Sequence, residues 1–91
     1  MHINVHIIAE GLVQGVGFRW FVQRRAEALG IYGCVRNLPN GAVEIEAEAT
    51  RSMLEEFIKE IKVGPRSAHV SNLRIEWKEH SAEKFSRFEI R

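Results

Sequence analysis

The 91-residue sequence predicts an α+β fold, a ferredoxin-like βαββαβ sandwich with two helices on one face of a mainly antiparallel sheet and a short extra C-terminal strand. Three observations predict it. Segments of alternating apolar residues occur at both ends and in the middle of the chain. Two segments with apolar residues at three- and four-residue spacing separate them, and glycine or proline punctuates the joins. No repeat or linker interrupts this order, and the length leaves room for one core, so residues 1–91 are read as a single domain.

The elements follow in order. From Ile3 to Ile7 the pattern I-N-V-H-I alternates, and Ile8 and Ala9 extend its apolar character, as in a strand with one buried face. The segment GLVQGVGF, 11–18, joins it to a helix whose buried stripe is Phe18, Phe21, Val22, Ala26 and Leu29, ended by Gly30. Arg25 falls within that stripe by angle, so it must reach solvent or find a partner. YGCVRNL at 32–38 reads as a second strand, and PNG at 39–41 turns it back. In the returning strand Val43, Ile45, Ala47 and Ala49 face inward, and Glu44, Glu46 and Glu48 form a solvated row. Met53, Leu54, Phe57, Ile58 and Ile61 mark the second helix, with Thr50 and Ser52 as candidate caps, capping-box spacing from Ser52 to Glu55, and GP at 64–65 as its stop. Leu73, Ile75 and Trp77 alternate with Arg74, Glu76 and Lys78, and FSRFEIR closes with Phe88 and Ile90.

Composition narrows the chemistry. With 13 basic and 12 acidic residues the formal charge is +1, so no broad field draws the chain to nucleic acid or to an anionic membrane. Every acid is Glu, which excludes an aspartyl nucleophile and Asp-rich metal loops. Nine of the thirteen cations are Arg, a bias that suits planar anion recognition and also the surface ion pairs of heat-stable proteins. Lone Cys34 cannot form an internal bridge, and MHINVHIIAE lacks the features of a secretion signal, so a cytoplasmic location is expected. No apolar run approaches the ~20 residues that span a bilayer.

The glycine-rich segment carries the sharpest signal. Gly15 and Gly17 flank Val16, and glycine lets such a segment curl until successive amide N–H groups point to one centre, where an anion fits. The helix that follows adds its positive end, and Arg19 on its first turn can lay a fork of donors across two phosphate oxygens. The same residues would suit a tight connection with Arg19 as a surface cation, and spacing alone leaves both open. A nucleotide P-loop is excluded because no Lys, Ser or Thr is present, and a dinucleotide fingerprint because Trp20 stands where a small residue is needed.

GLVQGVGFR at 11–19 and GCVRNLPNGAV at 33–43 resemble the two signatures of the acylphosphatase family, and the likeness runs end to end, through GP after the second helix and the FEIR tail. The resemblance implies hydrolysis of the carboxyl–phosphate bond of small acylphosphates to a carboxylate and inorganic phosphate, with no metal, cofactor or covalent phosphoenzyme. It implies Arg19 and Asn37 as catalytic residues, binding phosphate and positioning water. It puts the phosphate on the backbone of Gln14, Gly15, Val16, Gly17, Phe18 and Arg19. Two positions depart from the family pattern: Ala49 stands where glycine is frequent, and Cys34 where an aromatic is common.

The chemistry is self-consistent. Phosphoryl transfer through a loose transition state needs charge stabilisation and positioning more than covalent help, and Arg19, convergent amides and Asn37 supply those. Alone, Asn37 would equally serve to open the turn before PNG.

Other candidates are weaker. His2 and His6 stand roughly 13 Å apart along one strand face, too far to share a metal ion, and are expected to be solvated. His69 and His80 lack partners at useful spacing, Cys34 reads as a small core filler, and Glu10 as a solvated strand end. Trp20 points away from the buried stripe, towards either the site rim or a contact with another molecule. An RNA-binding module of the same topology would need stacking aromatics where His2, Asn4, His6, Glu44, Glu46 and Glu48 stand. The closer alternative is a non-catalytic anion-binding or accessory domain, as in hydrogenase-maturation carbamoyltransferases. The expected partners are thus a small acylphosphate and inorganic phosphate, with the chain a monomer or weak homo-oligomer.

Overall fold

In the computed structural model, which describes residues 2–78 and 84–91, β1 (Ile3–Leu12) lies between two other strands and organises the sheet. It is followed by α1 (Phe18–Leu29), β2 (Tyr32–Asn37), β3 (Val43–Ala49), α2 (Arg51–Val63), β4 (His69–Lys78) and β5 (Phe88–Ile90). The sheet order is β4-β1-β3-β2-β5. The first four strands pair antiparallel, and β5 runs parallel to β2. The observed order of elements is the predicted one, including the short terminal strand.

Register explains the core. Val5 pairs with Ala47, Ile7 with Ile45 and Ala9 with Val43, so the apolar half of each alternating pattern falls on one face. That face meets Phe18, Val22 and Ala26 of α1 and Leu54, Phe57 and Ile61 of α2, all buried in one cluster. Burying a side chain the size of Ile, Leu or Phe contributes about 1.5–3 kcal/mol, which makes this shared face the main source of stability. Arg25, inside the apolar stripe by angle, pairs with Glu60 across the helices at 3.3 Å. Thr50, not Ser52, caps α2: its Oγ1 accepts from the Met53 amide at 3.4 Å, and Ser52 already lies within the helix.

Two differences from the sequence reading have physical causes. The first strand runs on to Leu12, because after a shift in register at Glu10 and Gly11 the chain continues pairing with Val70 and His69. Gly11 permits this at φ 124°; a Cβ there would sit 2.2 Å from the His69 carbonyl oxygen. The connection to α1 therefore shortens to residues 13–17.

The second difference concerns the sheet face away from the helices, where the Glu row is not uniformly solvated. Glu48 is 1% exposed: the chain leading into β5 lies across it, and the amides of Lys84 and Phe85 donate to its Oε1 at 3.1 and 2.7 Å. Asn4 beside it is buried as well and donates to Oε2 at 3.4 Å. Glu44 accepts from His6 at 2.8 Å and from Arg36, contacts that hold its carboxyl below the usual value, and His6 is thus partnered rather than simply solvated. Cys34 is buried, but by alternation with Val35 it belongs to this same face rather than to the core cluster, and burial pushes its thiol up. His80 lies outside the described residues.

Candidate phosphate site

The connection between β1 and α1 is pinned at both ends and tied from both sides. Val13 and Phe18 are buried at its ends. Gln14 Nε2 donates to the carbonyls of Leu38 and Ala42 at 2.7 and 2.8 Å, fastening the loop to the β2–β3 turn. Ser67 Oγ, from the chain before β4, donates to the Val16 carbonyl at 2.7 Å. Between these anchors Gly15 and Gly17 take φ values of 74° and 78°. Space around both is open, so it is the left-handed backbone that favours glycine here.

Gly17 is also the N-cap of α1. No side chain caps this helix and no acid stands in its first turn; the first internal bond runs from the Phe21 amide to the Gly17 carbonyl at 3.0 Å. The earlier amides are left for an outside acceptor at the positive end of the helix. Arg19 emerges from that turn, and its Nη1 donates to the main-chain oxygen of Arg91 at 3.1 Å, which ties the guanidinium to the chain that follows β5.

Asn37 ends β2, opposite Val43. The turn beyond it is held by other groups. The Ala42 amide donates to Asn40 Oδ1 at 3.0 Å, and the Leu38 amide to the Ala42 carbonyl at 2.8 Å. Asn40 thus fills the turn role that position alone left open for Asn37.

Gly15, Gly17, Phe18, Arg19 and Asn37 line one cavity of about 180 Å³, together with Val13, Trp20 and Ile90. Gln14 and Val16 belong to the same loop but hold it through the bonds above, and their side chains are absent from the lining. Sequence reasoning missed the Gln14 clamp, Ser67, Ile90 and Arg91. All four act across long sequence separations, and no local pattern announces them. Trp20 stands at the cavity rim. A larger cleft of about 410 Å³ between α1 and α2 has neither a glycine cradle nor an uncapped helix start, and its cations Arg25 and Lys59 are already paired with the carboxylates of Glu60 and Glu56.

Charge around the small cavity suits an anion. No acid lines it. Glu10 is engaged elsewhere, accepting from Asn72 at 2.9 Å and pairing with Arg74 at 3.4 Å, and the Asn72 bond above all holds its carboxyl below the usual value. Among the described residues no three His, Cys, Asp or Glu side chains gather as metal ligands would, and no helix is long and apolar enough to cross a membrane.

The chain matches the acylphosphatase family model over residues 5–90. It is 44% identical over 90 residues to an acylphosphatase of Caldivirga maquilingensis, covering 98% of this chain and 94% of that one. The crystal structure of acylphosphatase from Bacillus subtilis superimposes with a TM-score of 0.92 at 38% identity, over 97% of each chain. The crystal structure of T. kodakarensis HypF also matches, at 40% identity and a TM-score of 0.76, over 97% of this chain and 12% of that one. The alternating strands, the glycine loop with its arginine and these matches lead to one conclusion: the chain belongs to the acylphosphatase family and is a hydrolase of acylphosphates.

Proposed function

We propose that the carboxyl–phosphate bond is cleaved by in-line attack of a water positioned by Asn37 on a phosphate held by Arg19 and the main chain of residues 14–19. The observation that carries this reading is that Arg19, Asn37, Gly15 and Gly17 line a single cavity at an uncapped helix start. The amides of the curled loop and the guanidinium offset the charge spread over the three equatorial oxygens of the loose transition state and hold them in place. The Asn37 carbonyl oxygen accepts a hydrogen bond from the water and orients it towards phosphorus. An amide does not take up a proton, so the water's proton passes to a phosphate oxygen as the P–O bond to the acyl group breaks and the carboxylate departs. A carboxylate leaves without protonation and an alkoxide does not, which restricts the site to activated phosphates.

In this reading residues 1–91 act as one domain, a monomer or weak homo-oligomer, in the cytoplasm and without cofactor or nucleic acid. The likeness to a segment of HypF favours a second reading, an anion-binding accessory domain. Phosphate release from benzoyl phosphate by the purified chain separates the two, since the accessory reading predicts none. Asn37→Ala is expected to lower kcat by about 10²-fold and to leave inhibition by inorganic phosphate unchanged, because it removes one positioned group and none of the cradle. Loss of phosphate inhibition to the same degree would assign Asn37 to binding instead.

A further inference from the structure

Trp20 and Ile90 are 59% and 39% exposed, and both line the cavity shared by Arg19 and Asn37. They stand on α1 and β5, far apart in sequence, and share the lining of one cavity. A phosphate has no use for them: an oxyanion is held by N–H groups and cations, and an apolar wall beside it only raises the cost of removing its water. The apolar wall therefore belongs to the other half of the substrate. The Arg24 guanidinium lies 4.9 Å from the Trp20 ring centroid, a contact that restrains the indole before any ligand arrives and so reduces the ordering cost of binding. At about 180 Å³ the cavity is smaller than the ~300–1,000 Å³ that encloses a drug-sized ligand, so an acyl group would rest on the rim while the phosphate occupies the loop.

We propose that Trp20 and Ile90 form an acyl platform, and that it makes this enzyme selective for acylphosphates with flat or bulky apolar acyl groups over those of acetyl size. This deepens the hydrolytic reading above and rests on it. Two polar catalytic residues alone would impose little acyl selectivity. The platform adds it without touching the reacting atoms, so Trp20 and Ile90 determine specificity and are not catalytic residues.

The test compares kcat/KM for benzoyl phosphate and acetyl phosphate in the unaltered enzyme, Trp20→Ala, Trp20→Phe and Ile90→Ala. Taking ratios between variants cancels the intrinsic reactivity of the two mixed anhydrides. Trp20→Ala is expected to lower kcat/KM about tenfold on benzoyl phosphate, the scale of one aromatic contact, and less than about threefold on acetyl phosphate. Trp20→Phe should restore most of the difference, and Ile90→Ala should shift the ratio in the same direction. Equal losses on both substrates, or an unchanged ratio in every variant, overturn the platform and leave the hydrolase intact. An unaltered chain that binds inorganic phosphate yet turns over neither substrate overturns the hydrolytic reading and the platform with it.

Discussion

In the proposed mechanism the guanidinium at position 19 performs two tasks from one planar fork of donors, a geometry that an ammonium lacks. Its Nη1 is committed to the main-chain oxygen of Arg91 at 3.1 Å, and the remaining donors of the fork stay available to the cavity. Arg19→Lys forces a choice between them. It is expected to lower kcat/KM by about 10- to 100-fold, the cost of one charge-assisted hydrogen bond, and to weaken inhibition by inorganic phosphate as well. A variant with full phosphate inhibition would show that charge alone, without the fork, suffices. At this scale the sequence was informative where chemistry is local: Arg19 follows its glycines by two residues, and Asn37 sits just before a recognisable turn. It was silent on which asparagine holds the turn, because the answer lies in the bond from Ala42 to Asn40 rather than in residue type.

Among the elements, the two side chains proposed as catalytic stand on different pieces of structure, Arg19 on α1 and Asn37 at the end of β2. Gln14 joins those pieces, since its amide reaches the carbonyls of Leu38 and Ala42 on either side of the turn. Gln14→Leu fills similar space and removes both bonds. Urea unfolding is expected to show a loss of about 1–3 kcal/mol, with a fall in kcat larger than that in phosphate affinity, because the water-holding group drifts while the cradle persists. Unchanged kcat with lowered stability would confine Gln14 to a structural role. Strands and helices were legible from apolar spacing, since burial on one face enforces that spacing. The end of β1 was not, because the close approach of Gly11 to His69 depends on a strand far along the chain, and Ser52 was read as a possible cap because local spacing cannot tell it from Thr50.

At the scale of the whole molecule, β4 and β5 are the two outer strands of the sheet. Glu48 fastens the chain entering β5 with a nearly inaccessible carboxylate that accepts from the amides of Lys84 and Phe85. Glu48→Ala is expected to cost about 1–3 kcal/mol in urea and to reduce turnover of benzoyl phosphate, because β5 brings Ile90 to the cavity. An undiminished midpoint would show that β5 docks without this tether. Alternation alone placed Glu48 among solvated carboxylates, and it could not reveal a crossing segment that covers the face.

The residues around the cavity run from Val13 to Ile90. A polypeptide emerging from the ribosome therefore holds every part of its glycine loop early and still lacks the finished pocket until β5 threads in beside β2. Catalytic output in a timed translation reaction should lag behind synthesis of the loop and mark the moment at which the sheet is complete.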